Sequence, residues 1–269
     1  MFLYWVLLFF VLGMVIGSFL NVVVYRTIYG ESPMKGRSRC PYCKKEISWK
    51  HNIPLLSFLF LKGSCAYCGK KISWQYPVVE VLTGMLFVWW YLVGSGFFLL
   101  VNTPFELVQP YFWLMVGILL VLVFVFDAWY GVIPNGVNMV LFGLVLVYRI
   151  ALSVSGVMRW EDFWSAFGAG LALMGFFYGL YLLTRKKGFG LGDVKLAPSL
   201  GLLLGVGGTV VGTMLAFMLG AAVAMVLLLV GKKKFGQTIA FGPFLVLGTV
   251  LALLWSEDIL GWYLGLLGV

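Results

Sequence analysis

Long apolar runs decide what this chain can be. They fall at about 3–25, 79–101, 112–129, 136–155, 163–184, 196–206, 209–231 and 240–256, with an apolar tail to Val269. Roughly 20 apolar residues of helix cross the ~30 Å hydrocarbon layer of a bilayer. Inside that layer every backbone N–H and C=O must be paired within the chain, which selects helices. Composition agrees: 62% of residues are hydrophobic and only 11% are charged, with a mean hydropathy of +1.02. The expected fold is an all-α polytopic membrane protein with about eight transmembrane helices. The first run, Phe2 to Tyr25, has neither a basic leading region nor a small-residue cleavage site, so it reads as a retained span.

Charge then orients the chain. If the runs alternate sides, the loops at 26–78, 130–135, 185–195 and 232–239 share one side and hold 17 of the 19 Lys and Arg residues; Arg149 and Arg159 are the exceptions. The positive-inside rule makes that side cytoplasmic and the N-terminus external. The opposite loops carry Glu106, Glu161, Asp162, Glu257 and Asp258. The net charge of +9 is thus a topology signal, and no nucleic-acid partner is implied. The segment 196–231 is short for two crossings, with "GVGG" (205–208) as its hinge; two passes keep "KKK" (232–234) on the basic side.

The domain division follows: a first transmembrane helix (1–25), a cytoplasmic loop domain (26–78) and a transmembrane core (79–269). All four cysteines lie in the loop domain, in two decapeptides offset by 25 residues: "CPYCKKEISW" (40–49) and "CAYCGKKISW" (65–74). Each Cys-x-x-Cys supplies two thiolates from one tight turn, so Cys40, Cys43, Cys65 and Cys68 form a candidate structural zinc site with four thiolate ligands. Two disulfides or four free thiols are the alternatives, and a reducing cytoplasm disfavours the disulfides. His51, the single histidine, reads as a loop residue beside four better ligands. The lysines and arginines of 35–71 suit anionic lipid headgroups at the bilayer surface.

Two carboxylates stand out. Asp127 ends the run "VLVFVFD", and Asp193 follows Gly190 and Gly192 in "GLGDVKL" (190–196). An ionisable group in a span is costly and marks an ion path or a reaction site. Asp193 alone is also a candidate helix N-cap, whereas Asp127 lies inside the apolar pattern. Two carboxyls at one depth that approach each other share one proton. The ionised member can then activate water and the protonated one polarise a carbonyl. Gly190 and Gly192, lacking side chains, would let a substrate backbone come close.

"GLGD" fits the Gly-x-Gly-Asp motif of intramembrane aspartic proteases, and the chain as a whole resembles the bacterial type IV prepilin peptidases. "GSFLNVVVYR" (17–26), the doubled Cys-x-x-Cys loop with "NIPLLSFL" (52–59), and "ISWQYPVVEVLTG" (72–84) resemble that family's amino-terminal region. Asp127 with "IPN" (133–135), "GLGDVKL" and "FGPFLVLG" (241–248) resemble its peptidase core. The resemblance implies a bacterial inner-membrane enzyme of two activities, serving type IV pili or type II secretion. It would cut the basic leader from prepilins or pseudopilins after a glycine at the cytoplasmic face. It would then N-methylate the new terminal residue, often Phe, with S-adenosylmethionine as donor. Asp127 and Asp193 match the family's aspartates and Lys195 its lysine; the cysteine loop is associated with methylation.

Weaker candidates are Glu80, either a methyl-donor contact or a cap of the second span, and Asn21 and Arg26, either anchors of the first span or, from the match of "GSFLN", part of a site wall. Lys195 is equally a boundary lysine reaching the interface. Eleven tryptophans and thirteen tyrosines suit interfacial belts. Two other readings compete: an ion-coupled transporter using Asp127 and Asp193 at broken helices, and a noncatalytic assembly protein. The spans show no internal repeat, which disfavours the transporter.

Overall fold

A computed structural model describes residues 1–32, 35–94, 96, 105–185, 189–234 and 237–267. Its elements are α1 (Phe2–Ile28), a 3-10 turn (Trp49–His51), α2 (Leu56–Phe60) and α3 (Gln75–Trp89, extended by a wider turn to Gly94). There follow α4 (Phe105–Tyr130), α5 (Asn135–Val154), α6 (Trp160–Leu183), α7 (Leu191–Leu229) and α8 (Gly242–Leu267). The described residues contain no strand, only two isolated bridges. Among the described residues seven helices are long and apolar enough to cross a membrane, as the apolar runs demand: this is a multi-pass membrane protein. The end expected for the second span, 95–101, lies largely outside the described residues.

The chain forms two compact units, Met1–Val125 and Phe126–Val269, whose boundary falls inside α4. In the first, α1 and α3 cross where side chains are absent. A Cβ on Gly13 would meet the Thr83 carbonyl at 2.6 Å, and one on Gly17 would meet the Glu80 Cα at 2.8 Å. Such close crossings of small residues hold helices together in lipid, where hydrophobicity gives no preference for protein over tails. Asn21, fully buried, closes the seam: its Nδ2 donates to the Tyr76 carbonyl at 3.1 Å and its Oδ1 accepts from Gln75 Nε2 at 3.3 Å. Arg26 gathers the chain leaving α1 by donating to the carbonyls of Ser32, Lys35, Gly36 and Arg37. Both anchor the first span, as expected.

Between α1 and α3 the sequence repeat becomes a structural repeat. In the first copy Cys40 N–H donates to the Lys45 carbonyl (3.0 Å), Lys44 N–H to Cys40 (2.9 Å) and Ile47 N–H to Ser38 (2.8 Å); the second copy repeats this with Cys65 and Lys70 (2.9 Å), Gly69 and Cys65 (2.9 Å), and Ile72 and Gly63 (2.7 Å). Each turn needs one left-handed residue, Lys44 at φ 59° and Gly69 at φ 69°. The copies also clasp each other reciprocally: Lys45 Nζ lies 5.8 Å from the Tyr67 ring and Lys70 Nζ 5.3 Å from the Tyr42 ring, each a cation–π pair.

In the second unit α7 carries the one departure from the expected span count. It is a single run of 39 residues, too long for one straight crossing, and Gly205 breaks it with φ 71° and ψ −176°. Phe189, just before α7, packs at 6.0 Å centroid distance against Phe217. In a straight helix those residues would lie about 40 Å apart. The element therefore doubles back at Gly205 into a limb of about 21 Å (191–204) and a longer returning limb (206–229). The hinge falls in "GVGG", as expected; seven helices of spanning length arise because this one contains both limbs. At the fold, Arg149 Nη2 donates to the Leu203 carbonyl at 3.2 Å, supplying a donor that the broken ladder lacks.

Candidate active site

Four chain segments meet at one end of the second unit. The last turn of α4 carries Asp127, the linker 131–134 leads into α5, α7 begins beside Asp193, and α8 begins at Gly242. A cluster of phenylalanines helps to fix the arrangement. Phe189 and Phe241, each one residue before a glycine of the site, lie 5.1 Å apart, and Phe217 stacks 4.9 Å from Phe241. Phe177 packs on Phe189, Phe217 and Phe241, and Phe244 on Phe241.

Asp127 is 7% exposed. Its Oδ2 accepts the Gly242 N–H at 2.8 Å, one of the free donors at the start of α8, where the helix dipole also favours negative charge. A Cβ at residue 242 would lie 2.6 Å from that oxygen, so the glycine is what allows the bond. Asp193 is 5% exposed. It is not the N-cap of α7: Gly190 caps the helix, and Asp193 stands three residues further in. From there its Oδ2 lies back toward Gly190, 3.5 Å from where a Cβ of that residue would stand. Its other oxygen, Oδ1, is buried without a hydrogen-bond partner. Buried polar atoms are normally satisfied, so an orphan of this kind marks a place where a ligand or water belongs.

Both carboxyls line one cavity of about 430 Å³, with Ile133, Pro134, Gly190 and Lys195 among its walls. The glycines of the motif are not equivalent. At Gly192 a Cβ would press on Ile133 at 3.2–3.3 Å, so Ile133 fills that space. At Gly190 the nearest neighbour, Asp193 Oδ2, would be 3.5 Å away, which leaves room. Lys195 Nζ donates to Asn135 Oδ1 at 3.0 Å on the cavity rim. The Gly242 contact had a signal in "FGPF", though nothing in sequence tied it to Asp127.

Residues 11–93 match the bacterial peptidase A24 N-terminal domain, and residues 113–229 match the type IV leader peptidase family. The chain is 32% identical to the prepilin leader peptidase/N-methyltransferase of Aeromonas hydrophila, over 95% of its own length and 92% of that protein. The chain belongs to the type IV leader peptidase family. It is 30% identical to the corresponding protein of Legionella pneumophila (94% and 92% covered) and 29% identical to that of Bacillus subtilis strain 168 (95% and 96%). No solved structure matches. This leader peptidase family member is thus a membrane-embedded enzyme, a protease of that family.

The peptidase also carries a cluster fit for a metal. The Sγ atoms of Cys40, Cys43, Cys65 and Cys68 all lie within 4.8 Å of one another, with Cys40 and Cys68 at 3.9 Å. A tetrahedral ion with metal–sulfur bonds of ~2.3 Å wants sulfurs ~3.8 Å apart. All four are free cysteines. The N–H groups of Tyr67 and Cys68 hold the Cys65 thiol down to about 7. At Cys68 the pull of the Lys70 N–H is outweighed by desolvation and the neighbouring thiols, which push it up to about 11. Without an ion the cluster thus favours one thiolate, at Cys65. His51 contributes no ligand atom to this cluster; its ring meets Tyr67 edge-on at 5.9 Å.

Glu80 of the peptidase is 6% exposed, and its Oε2 accepts the Leu55 N–H at 2.7 Å. Leu55 sits at φ 58°, ψ −48°, and Leu56 N–H closes onto the Pro54 carbonyl at 2.6 Å. This is a γ-turn of the rarer, strained hand. Glu80 thus holds that turn through one of its two carboxylate oxygens.

Proposed function

We propose that this enzyme removes the leader peptide from type IV prepilins or pseudopilins by an aspartate dyad, Asp127 and Asp193, and then N-methylates the new N-terminus. The observation that carries the proteolytic half is the pair of buried carboxyls, from the ends of two different helices, lining one cavity with Asp193 Oδ1 unpartnered. Two such carboxyls share a proton. The ionised member takes a proton from a water as that water attacks the scissile carbonyl. The protonated member donates to the carbonyl oxygen, and proton return to the amine releases the leader. The Gly242 N–H holds Asp127 in place throughout.

The basic loops support a site at the cytoplasmic face with the N-terminus outside, where a membrane-anchored substrate would present a bond just beyond its apolar segment. Lys195 borders the entrance, and Gly190 leaves room for the substrate backbone. Zinc is the ion proposed for the four cysteines. A complete thiolate set leaves no open coordination position, so its role is to fold a loop too small for a core of its own. The methylation half rests on the names of the relatives, and S-adenosylmethionine is the donor proposed for it.

The deciding experiment is cleavage of a purified prepilin in lipid by wild type, Asp127→Asn and Asp193→Asn, followed by mass spectrometry with S-adenosylmethionine present. The expected result is a leader-sized loss and an added methyl in wild type, and no cleavage in either variant. Cleavage surviving in one variant removes that aspartate from the mechanism.

A further inference from the structure

The turn of α7 that carries Asp193 is poorly equipped to hold itself. Pro198 has no N–H, so the Val194 carbonyl loses its helical donor. The limb ends only a few residues later at the Gly205 break. The side-chain hydrogen bonds to this turn come from α5. Asn138 Nδ2 donates to the Lys195 carbonyl at 2.7 Å, two residues beyond Asp193. Asn138 Oδ1 accepts from Ser199 Oγ at 2.9 Å, and Ser199 is fully buried. One amide thus bridges the turns on both sides of Pro198, while Asn135 Oδ1 takes the Lys195 ammonium. Asn138 itself is not among the residues lining the cavity.

We infer that Asn138 is a positioning residue for Asp193, holding the proline-weakened first turns of α7 in register with α5 so that the carboxyl stays in place. The inference rests on the dyad reading above. Its side chain is suited to this work because a primary amide offers a donor and an acceptor from one planar group. The donor satisfies a main-chain carbonyl and the acceptor a hydroxyl on the next turn. Displacing a reacting group by about 1 Å can cost on the order of 10²-fold in rate; loss of one of several restraints should cost less.

The test compares wild type, Asn138→Ala, Asn138→Asp, Ser199→Ala and Asp193→Asn on a purified prepilin in lipid, with kcat, KM and melting temperature for each. Asn138→Asp keeps the shape and the acceptor but removes the donor. The expected result is a kcat about tenfold lower for Asn138→Ala and Asn138→Asp, a smaller loss for Ser199→Ala, and KM within about twofold of wild type throughout. Ser199→Ala added to Asn138→Ala should cost nothing further, because the two act as one unit. A raised KM with unchanged kcat would make Asn138 a substrate contact and overturn the inference. So would wild-type kcat in Asn138→Ala beside an inactive Asp193→Asn. If Asn138→Ala fails to fold, Ser199→Ala decides by the same split. Cleavage by Asp193→Asn would instead overturn the dyad reading.

Discussion

Replacing Gly242 by alanine is the sharpest test of how Asp127 is held. The new Cβ would stand 2.6 Å from Asp127 Oδ2, 2.9 Å from Cγ and 3.0 Å from Cβ. Pro243 follows directly and fixes the backbone there, so the carboxyl must yield. Ordinary contact starts near 3.4 Å, which requires a retreat of about 0.8 Å. The same movement stretches the Gly242 N–H contact from 2.8 Å beyond hydrogen-bond reach. A hydrogen bond to a charged group is worth ~1.5–3 kcal/mol, and about 2.7 kcal/mol corresponds to 10²-fold in rate. A displacement of about 1 Å gives the same 10² by a separate route. Single-turnover cleavage of a prepilin in lipid should therefore slow by about 10²-fold in Gly242→Ala, with KM little changed and a melting temperature lower by a few degrees. A rate within about threefold of wild type, from a folded protein, would refute the claim that this glycine seats Asp127.

Gly190→Ala should fold and melt like wild type, since its new methyl meets nothing closer than 3.5 Å and its backbone is extended; a severalfold rise in KM would show that the substrate uses this space, and an unchanged KM would show that it does not. Lys44→Gly should stabilise the metal loop by about 1 kcal/mol, because it relieves a left-handed non-glycine residue at the position where the second copy already has Gly69; the midpoint of denaturant-induced metal release measures it. A strong zinc chelator should withdraw one ion per chain and expose the lysines between Lys44 and Lys71 to trypsin, and Cys40→Ser should do the same without chelator. Undiminished protection after metal loss would count against a metal-folded loop.

What sequence could reveal depended on whether the signal was local. The spans are legible because each is a continuous apolar run, and the cysteine cluster because its two halves are near-copies 25 residues apart. Helix α3 starts four residues before the apolar run that marks it: Gln75 and Pro77 lie in its first turn, where proline is tolerated but polar character hides the helix. Helix α4 starts at Phe105 instead of 112, because Glu106 and Pro110 interrupt the hydropathy. The grip on Asp127 is beyond the reach of sequence, since Gly242 lies 115 residues away and no periodicity links them. Asn138 and Ser199 escape notice for the same reason. Each looks like an ordinary polar residue in a span until the two helices are placed side by side.

The fold of α7 at Gly205 also bears on how the chain is made. A limb of about 21 Å cannot by itself match a ~30 Å hydrocarbon layer, and its carbonyl at Leu203, in the last turn, would enter lipid unpaired. The guanidinium that satisfies it belongs to α5, which leaves the ribosome before any part of α7. Chain order thus delivers the cap ahead of the helix that needs it, and the limb bearing Asp193 can insert together with its returning partner as one hairpin.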